Sequence, residues 1–354
     1  MGGTDTAGIP ALELPDPGDE PPGPQRFPRL RRWLPTIRVV ASVAMLAFLI
    51  HEVHLGSVFD HSDDATPWWL IGGLTFTALG IVLSAVRWQR VLVAMDQPVR
   101  LGPLVKTALA GQFVSNFLPS TIGGDALRIT RLSSDTRERT TAPAAFASVV
   151  LDRMSGWLIL PLLCLCGLLI NRSLLSLGKA SEAAIILSFV TLAALGVVVT
   201  AAAHPRLGGR LATQSNWLRF MGAVHLGLDR IRRRPGAVAQ VVGASVIYQL
   251  AIVAAGILAA RALRIDIGPT AMLAFIPAVA IVQVVPITIG GLGLREGAFA
   301  LFLHPLGVPL HQAVALGLVM YAMHLLTSLL GAPSFALGNH PRSSGPARPV
   351  TPAV

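Results

Sequence analysis

Along this chain apolar residues do not alternate with polar ones. They run in long, mainly apolar blocks at 38–54, 68–86, 144–170, 183–203, 238–262 and 310–334. A helix needs about 20 apolar residues to cross a hydrocarbon core about 30 Å thick, so each block predicts a full crossing. Two further apolar blocks, 101–118 and 267–285, stop abruptly at prolines and glycines. Residues 1–36 and 337–354 lack any apolar period and predict disordered tails around an integral membrane domain at 37–336. The stretch "RLRRWLPTIRVVASVAMLAFLI" looks like a secretory signal. No small-x-small site follows it, and it runs on into "HEVHLGSVFDH", so the first span is expected to remain.

Composition agrees with the blocks. Only 13% of residues are charged, against about 25% in a soluble domain, while 53% are hydrophobic and the mean hydropathy is +0.64. A soluble globular reading is excluded, and a polytopic, all-α membrane protein is predicted. Cys164 and Cys166, two apart on one predicted helix, point to different sides of it, so they do not pair with each other.

Charge then sets the topology. With the N-terminus in the cytoplasm and six crossings, 22 of the 28 Lys and Arg fall on the cytoplasmic side, as the positive-inside rule requires. If 101–118 and 267–285 also crossed, the basic loop at 204–236 and its "DRIRRRP" would lie outside, against that rule. The prediction is six crossings plus two re-entrant segments, with both termini cytoplasmic in the cell membrane. The net charge of +10 thereby belongs to topology and does not point to nucleic acid.

The two re-entrant blocks end in nearly the same ten letters, "PSTIGGDALR" at 119–128 and "PITIGGLGLR" at 286–295. "LGP" at 101–103 and "IGP" at 267–269 precede them, and Pro143 and Pro309 open the spans that follow. Units of about 101–170 and 267–336 therefore repeat. Three crossings separate them, an odd number, so the second is expected upside down relative to the first. That is the inverted-repeat plan of transporters whose broken helices meet near the midplane.

Pro-x-Thr-Ile-Gly-Gly is poor helix material, and a helix break at membrane depth is tolerated only against protein or a water-filled cavity. A helix that resumes after the second glycine presents free amides and a positive dipole end. Arg128 and Arg295 stand four residues beyond Gly124 and Gly291, one turn along, so amides and guanidinium are expected to converge on one anion. Thr121, Gly123, Gly124 and Thr288, Gly290, Gly291 complete the two candidate cradles. The competing reading is that the glycines only allow helices to cross closely.

Asp152 and Arg153 sit inside an apolar span and need partners there. Adjacent helix positions diverge by about 100 degrees, so the two are expected to reach different groups: Arg153 joins Arg128 around a phosphate, and Asp152 holds an arginine in place. Glu296 is the expected counter-ion of Arg295. Gln112, Asn116, Gln283, Tyr321 and His324 are candidate cavity-lining residues. Within 204–236, Trp217, Phe220, Met221, Val224, Leu228 and Ile231 fall at helical spacing among arginines, the pattern of an amphipathic helix on an anionic leaflet.

Through "NFLPSTIGGDALR", "VVLDRMSGW" and "VVPITIGGLGLREGAFALF" the chain resembles the transmembrane, flippase-like region of lysylphosphatidylglycerol synthases and its stand-alone relatives. The resemblance spans about 38–335. It implies movement of a modified phospholipid, polyprenyl lipid or glycolipid between leaflets, with Arg128, Arg153 and Arg295 on the lipid phosphate. Asp152 departs from the family's pattern, where Glu precedes the Arg. The soluble aminoacyl-transferase domain of the synthases is not expected here, and neither is lysyl transfer.

Two rivals remain at this stage. "HEVH" with Asp60, His61, Asp63 and Asp64 offers metal-type ligands, but not the H-E-x-x-H register, so no metal, cofactor or catalytic set is predicted. An intramembrane lipid transferase using Asp152 stays open. So does a non-catalytic membrane subunit supporting a partner lipid-modifying or glycosyl-transferring enzyme. The expected partners are membrane lipids and, on that second reading, such an enzyme.

Overall fold

The computed structural model describes residues 66–117, 123–134, 140–203, 225, 227, 235–284, 291 and 293–336. The predicted first span at 38–54, most of the basic loop, and Thr121, Thr288 and Gly290 lie outside the described residues. Within them the chain is helical, with no strand.

The helices are α1 Thr66–Ala94, α2 Leu101–Phe117, α3 Gly123–Ser134, α4 Ala142–Ile170, α5 Lys179–Ala203, α6 Pro235–Ala262, α7 Pro269–Val282, α8 Leu294–Leu303, α9 Leu310–Leu329 and the short α10 Ala332–Ala336. Five of them, α1, α4, α5, α6 and α9, are long and apolar enough to cross a membrane. The other members of the two motif regions are too short for that. α2 has 17 residues, α3 12, α7 14 and α8 10, against the roughly 20 that a crossing needs. Each pair, α2 with α3 and α7 with α8, packs on itself as a hairpin.

Local chemistry explains the boundaries. The Thr141 side chain accepts from the Ala144 N–H at 3.4 Å, and Pro143 occupies the first turn of α4, where its missing donor is no loss. α1 and α6 end by the same device. Asp96 (φ 59) and Arg264 (φ 55) adopt left-handed backbone. The next N–H, of Gln97 or Ile265, then donates back five residues to Leu92 or Ala260, each at 2.9 Å.

That shared ending enlarges the repeat. The letters alone set the units at 101–170 and 267–336, but the packing adds α1 to the first and α6 to the second. Exchanging α1 with α6, α2 with α7, α3 with α8 and α4 with α9 carries every major contact among these eight helices onto another. α1 and α6 form the central pair. Each hairpin's first arm packs against the other unit's long helix, α2 on α9 and α7 on α4. Small residues let these backbones approach, which is how helices associate in lipid. An added Cβ on Gly73 of α1 would stand 2.9 Å from Met323 Sδ, and one on Gly80 2.9 Å from Ile252 Cδ1.

The periphery is apolar outward. Ile186, Phe189, Val190 and Val197 of α5 are exposed, as a lipid-facing helix requires. At one end of the α1/α6 pair the Arg261 guanidinium lies 5.2 Å above the Trp69 ring, the kind of anchor found where hydrocarbon meets water. Cys164 is buried and Cys166 exposed, on different sides of α4.

Candidate anion-binding site

The first motif does not break where its letters suggest. α3 begins at Gly123, so both glycines lie inside its first turn and Arg128 is its sixth residue. Asp125 in that turn favours the helix N-terminus electrostatically. Gly124 serves close packing. A Cβ there would collide with the Gly111 carbonyl and the Ser115 hydroxyl of α2, so the hairpin arms touch backbone to backbone.

In the second motif the glycines do break the chain. Gly291 (φ 75) and Gly293 (φ 82) take left-handed conformations that other residues rarely adopt, and α8 starts only at Leu294, with Arg295 in its first turn. The expectation of free amides one turn below the arginine therefore needs correcting at α8. At α8 the Gly293 N–H donates to Glu296 Oε2, so the protein's own carboxylate occupies that donor. At α3 the arginine stands a further turn along.

The first arginine belongs to a chain of charges. Asp152, fully buried and about 15 Å along α4, accepts from two helices. Arg87 Nε of α1 donates to its Oδ1 at 2.7 Å, and Arg128 Nη2 of α3 donates to its Oδ2 at 2.9 Å. Arg128 Nη1 also lies 3.6 Å from Asp125 Oδ1. Arg153 grips Asp125 with both arms, Nε to Oδ2 at 3.1 Å and Nη2 to Oδ1 at 2.9 Å. Asp152 and Arg153 do reach different groups, yet Arg153 joins Arg128 through a carboxylate.

Aromatic faces complete the setting. The Arg128 guanidinium lies 4.1 Å above the Trp88 ring, and that of Arg87 4.9 Å above Tyr248. Trp88 Nε1 donates to Ser148 Oγ at 3.0 Å, which holds the indole in place. Gly156 makes room for Arg87, since a Cβ there would stand 2.8 Å from its Nη1.

Among the described residues three guanidinium groups thus share two carboxylates, leaving one positive charge. Among the described residues Arg128 Nε is buried with no hydrogen-bond partner, whereas the Arg153 side chain is 46% exposed. The cluster can attract a monoanion at its Arg153 edge. In its interior both Asp152 oxygens accept from a guanidinium group, which ties that carboxylate to α1 and α3.

The second arginine has an amide and a phenol ring beside it. Arg295 Nε donates to Gln283 Oε1 at 3.1 Å, and its guanidinium lies 5.1 Å above the Tyr321 ring. His324 is within its electrostatic reach. Asn116 Nδ2 at the far end of α2 donates to the His324 carbonyl at 3.5 Å, joining the first hairpin to the second unit. Four candidate lining residues, Asn116, Gln283, Tyr321 and His324, are thereby drawn into one neighbourhood. Gln112 is partly buried one turn from Asn116 on α2. Among the described residues no group of three metal-ligating side chains converges, and the histidines of "HEVH" lie outside them.

Sequence reasoning missed Arg87, Trp88, Tyr248 and the role of Asp125. Arg87 lies just past the apolar block at 68–86, so by its letters it counts with the loop that follows. The renewed apolar run "VLVAM" after Arg90 was the signal that α1 continues.

A family model described as lysylphosphatidylglycerol synthase TM region matches residues 36–331. No curated protein and no solved structure matches the chain.

Proposed function

The chain belongs to the lysylphosphatidylglycerol synthase transmembrane-region family, and from that premise we propose that it translocates an anionic lipid between leaflets. Family membership makes it a membrane protein related to lipid handling. The finer reading is that a phospholipid or a polyprenyl- or glycolipid head group is drawn to the Arg153 edge of the cluster and passes towards Arg295, in the cell membrane with both termini cytoplasmic.

One observation carries the proposal: an ion network at membrane depth with a surplus positive charge, built on the hairpin that also meets the second unit. A purely structural network has no need of the surplus, because an uncompensated charge at the bilayer centre costs about 2.5 to 3.5 kcal/mol on insertion scales. A phosphate supplies the missing negative charge. The crossed contacts of the two units support rocking of one against the other. A positioning role for Asp152 is supported by its two arginine partners.

Mass spectrometry of co-purified lipid tests the binding. Enrichment of anionic lipid that survives neutralisation of Arg230, Arg232, Arg233 and Arg234 but disappears in Arg128→Gln and Arg295→Gln is expected. The reverse pattern favours the subunit reading, in which the basic loop docks a partner enzyme.

A further inference from the structure

Arg128 and Arg153 meet at one carboxylate. Arg153 Nε donates to Asp125 Oδ2 at 3.1 Å and its Nη2 to Oδ1 at 2.9 Å, while Arg128 Nη1 lies 3.6 Å from that same Oδ1. Among the described residues Asp125 is the one group in ion-pair contact with both guanidinium groups. An anion that engages the two arginines together therefore has to take the place of the Asp125 carboxylate.

The cluster's two carboxylates are held differently. The Asp152 side chain is 0% exposed and accepts from Arg87 and Arg128 at 2.7 and 2.9 Å. The Asp125 side chain is 23% exposed, and that of its partner Arg153 46%. Opening a buried pair strands both charges, whereas a pair in contact with solvent re-solvates both groups and contributes little. Charged groups left open at membrane depth front a water-filled cavity rather than lipid. Asp125 can turn into such a cavity, while Asp152 is fixed between its helices.

The place that Asp125 holds suits an oxyanion. The Nε–Nη2 edge of Arg153 presents two parallel donors, which match two oxygens of a carboxylate or of a phosphate. Arg128 adds a second positive group at the side. Asp125 is the third residue of α3, so its carboxylate also lies at the positive end of that helix. From this geometry we propose that Asp125 is a stand-in for the lipid phosphate. The phosphodiester of an arriving head group takes the position of the two Asp125 oxygens between Arg128 and Arg153, and Asp125 turns towards the cavity until the head group moves on.

Exchange has a physical advantage over addition. One two-oxygen anion replaces another, so neither guanidinium is left bare at membrane depth while the lipid arrives or departs, and a bare charge there is costly. The displaced carboxylate stays at the rim of the cluster, so the phosphate still neutralises the surplus charge. An internal competitor also keeps the hold on the head group loose enough for release, the balance that passage through a membrane requires. The arrangement belongs to the first hairpin alone. The position matching Asp125 in the second motif, 167 residues on, is Leu292.

This assignment rests on the anion-binding reading of the Arg128 cluster, and the test separates the two. Binding of dihexanoylphosphatidylglycerol to purified full-length protein in detergent is measured by calorimetry. Asp125→Asn is expected to bind about tenfold more tightly than wild type, as one charge-assisted competitor is removed. Arg153→Lys keeps the charge but not the two-donor edge. In that background Asp125→Asn is expected to gain less than about threefold, because the competition it relieves has gone. Equal gains in both backgrounds would overturn the proposal, since they report only the field of the removed charge. Wild-type binding that Asp125→Asn leaves unchanged or weakens would overturn it too, and leave the anion site standing. No binding by any of these proteins overturns both. Inorganic phosphate is titrated in parallel, and a gain confined to inorganic phosphate overturns the lipid head group as the occupant. Should Asp125→Asn fail to fold, Asp125→Ser, a residue also favoured at helix starts, carries the same comparison.

Discussion

Asp152 Oδ1 accepts the Nε proton of Arg87 at 2.7 Å, joining α4 to α1 across 65 positions of sequence, and neither side chain has more than 8% of its surface exposed. With Arg128 on the other oxygen, one carboxylate fixes three helices. Breaking a buried pair by removing one partner typically costs about 3 to 5 kcal/mol, because the other charge is left behind. Asp152→Asn is therefore expected to lower thermal stability in detergent by that order. A second change, Arg87→Met, is expected to recover part of the loss by removing a stranded guanidinium. Additive destabilisation in the double variant would show that the two do not interact.

The hairpin α2/α3 depends on the contact between Gly124 and Gly111. Gly124→Ala forces a methyl into the α2 backbone, and such overpacking costs about 1 to 3 kcal/mol. Gly243→Ala on α6, where nothing lies within 4 Å, should be neutral or stabilising by up to about 1 kcal/mol through helix propensity. Thermal unfolding of the two variants side by side checks the contrast.

Trp88 positions Arg128 by its face and is itself held through its N–H. Trp88→Phe keeps a ring under the guanidinium but removes the N–H donor to Ser148, whose hydroxyl still donates to the Ala145 carbonyl, for a loss of about 1 kcal/mol. Trp88→Leu removes the cation–π contact too and should lose more, with a buried contact of that kind worth about 2 kcal/mol. Equal losses would show that the ring face adds nothing to the hold on Arg128.

The six-crossing topology with two re-entrant hairpins is open to a sidedness test. In sealed cells, a membrane-impermeant maleimide is expected to label Lys179→Cys but not Gly236→Cys until the membrane is opened, with Cys164 and Cys166 replaced by alanine. If the blocks at 101–118 and 267–285 crossed fully, the two positions would exchange their behaviour.

What the letters revealed and what they hid have physical causes. Long apolar blocks are one-dimensional signals, and α1, α4, α5, α6 and α9 follow them closely. The repeat of Arg128 and Arg295 was legible because both copies keep seven letters of ten. The pairing of α1 with α6 was not, since Asp96 and Arg264 share a backbone conformation and no chemistry. The break itself differed between copies for a reason visible only afterwards: Asp125 favours an early helix start in the first, while Gly293 permits a longer loop in the second. Arg87 was hidden by its neighbours. A charge near the end of an apolar block reads as loop until a partner such as Asp152 is placed across from it.

The central claim is that the arginine network carries an anionic lipid across the bilayer. Proteoliposomes containing fluorescent phosphatidylglycerol, with a membrane-impermeant quencher added outside, read this directly. The account predicts quenching beyond half of the label with wild-type protein, slower by about tenfold or more in Arg128→Gln or Arg153→Gln as a charge-assisted contact is lost. Quenching that stops at half with correctly folded wild-type protein, or that proceeds equally in both variants, would contradict it.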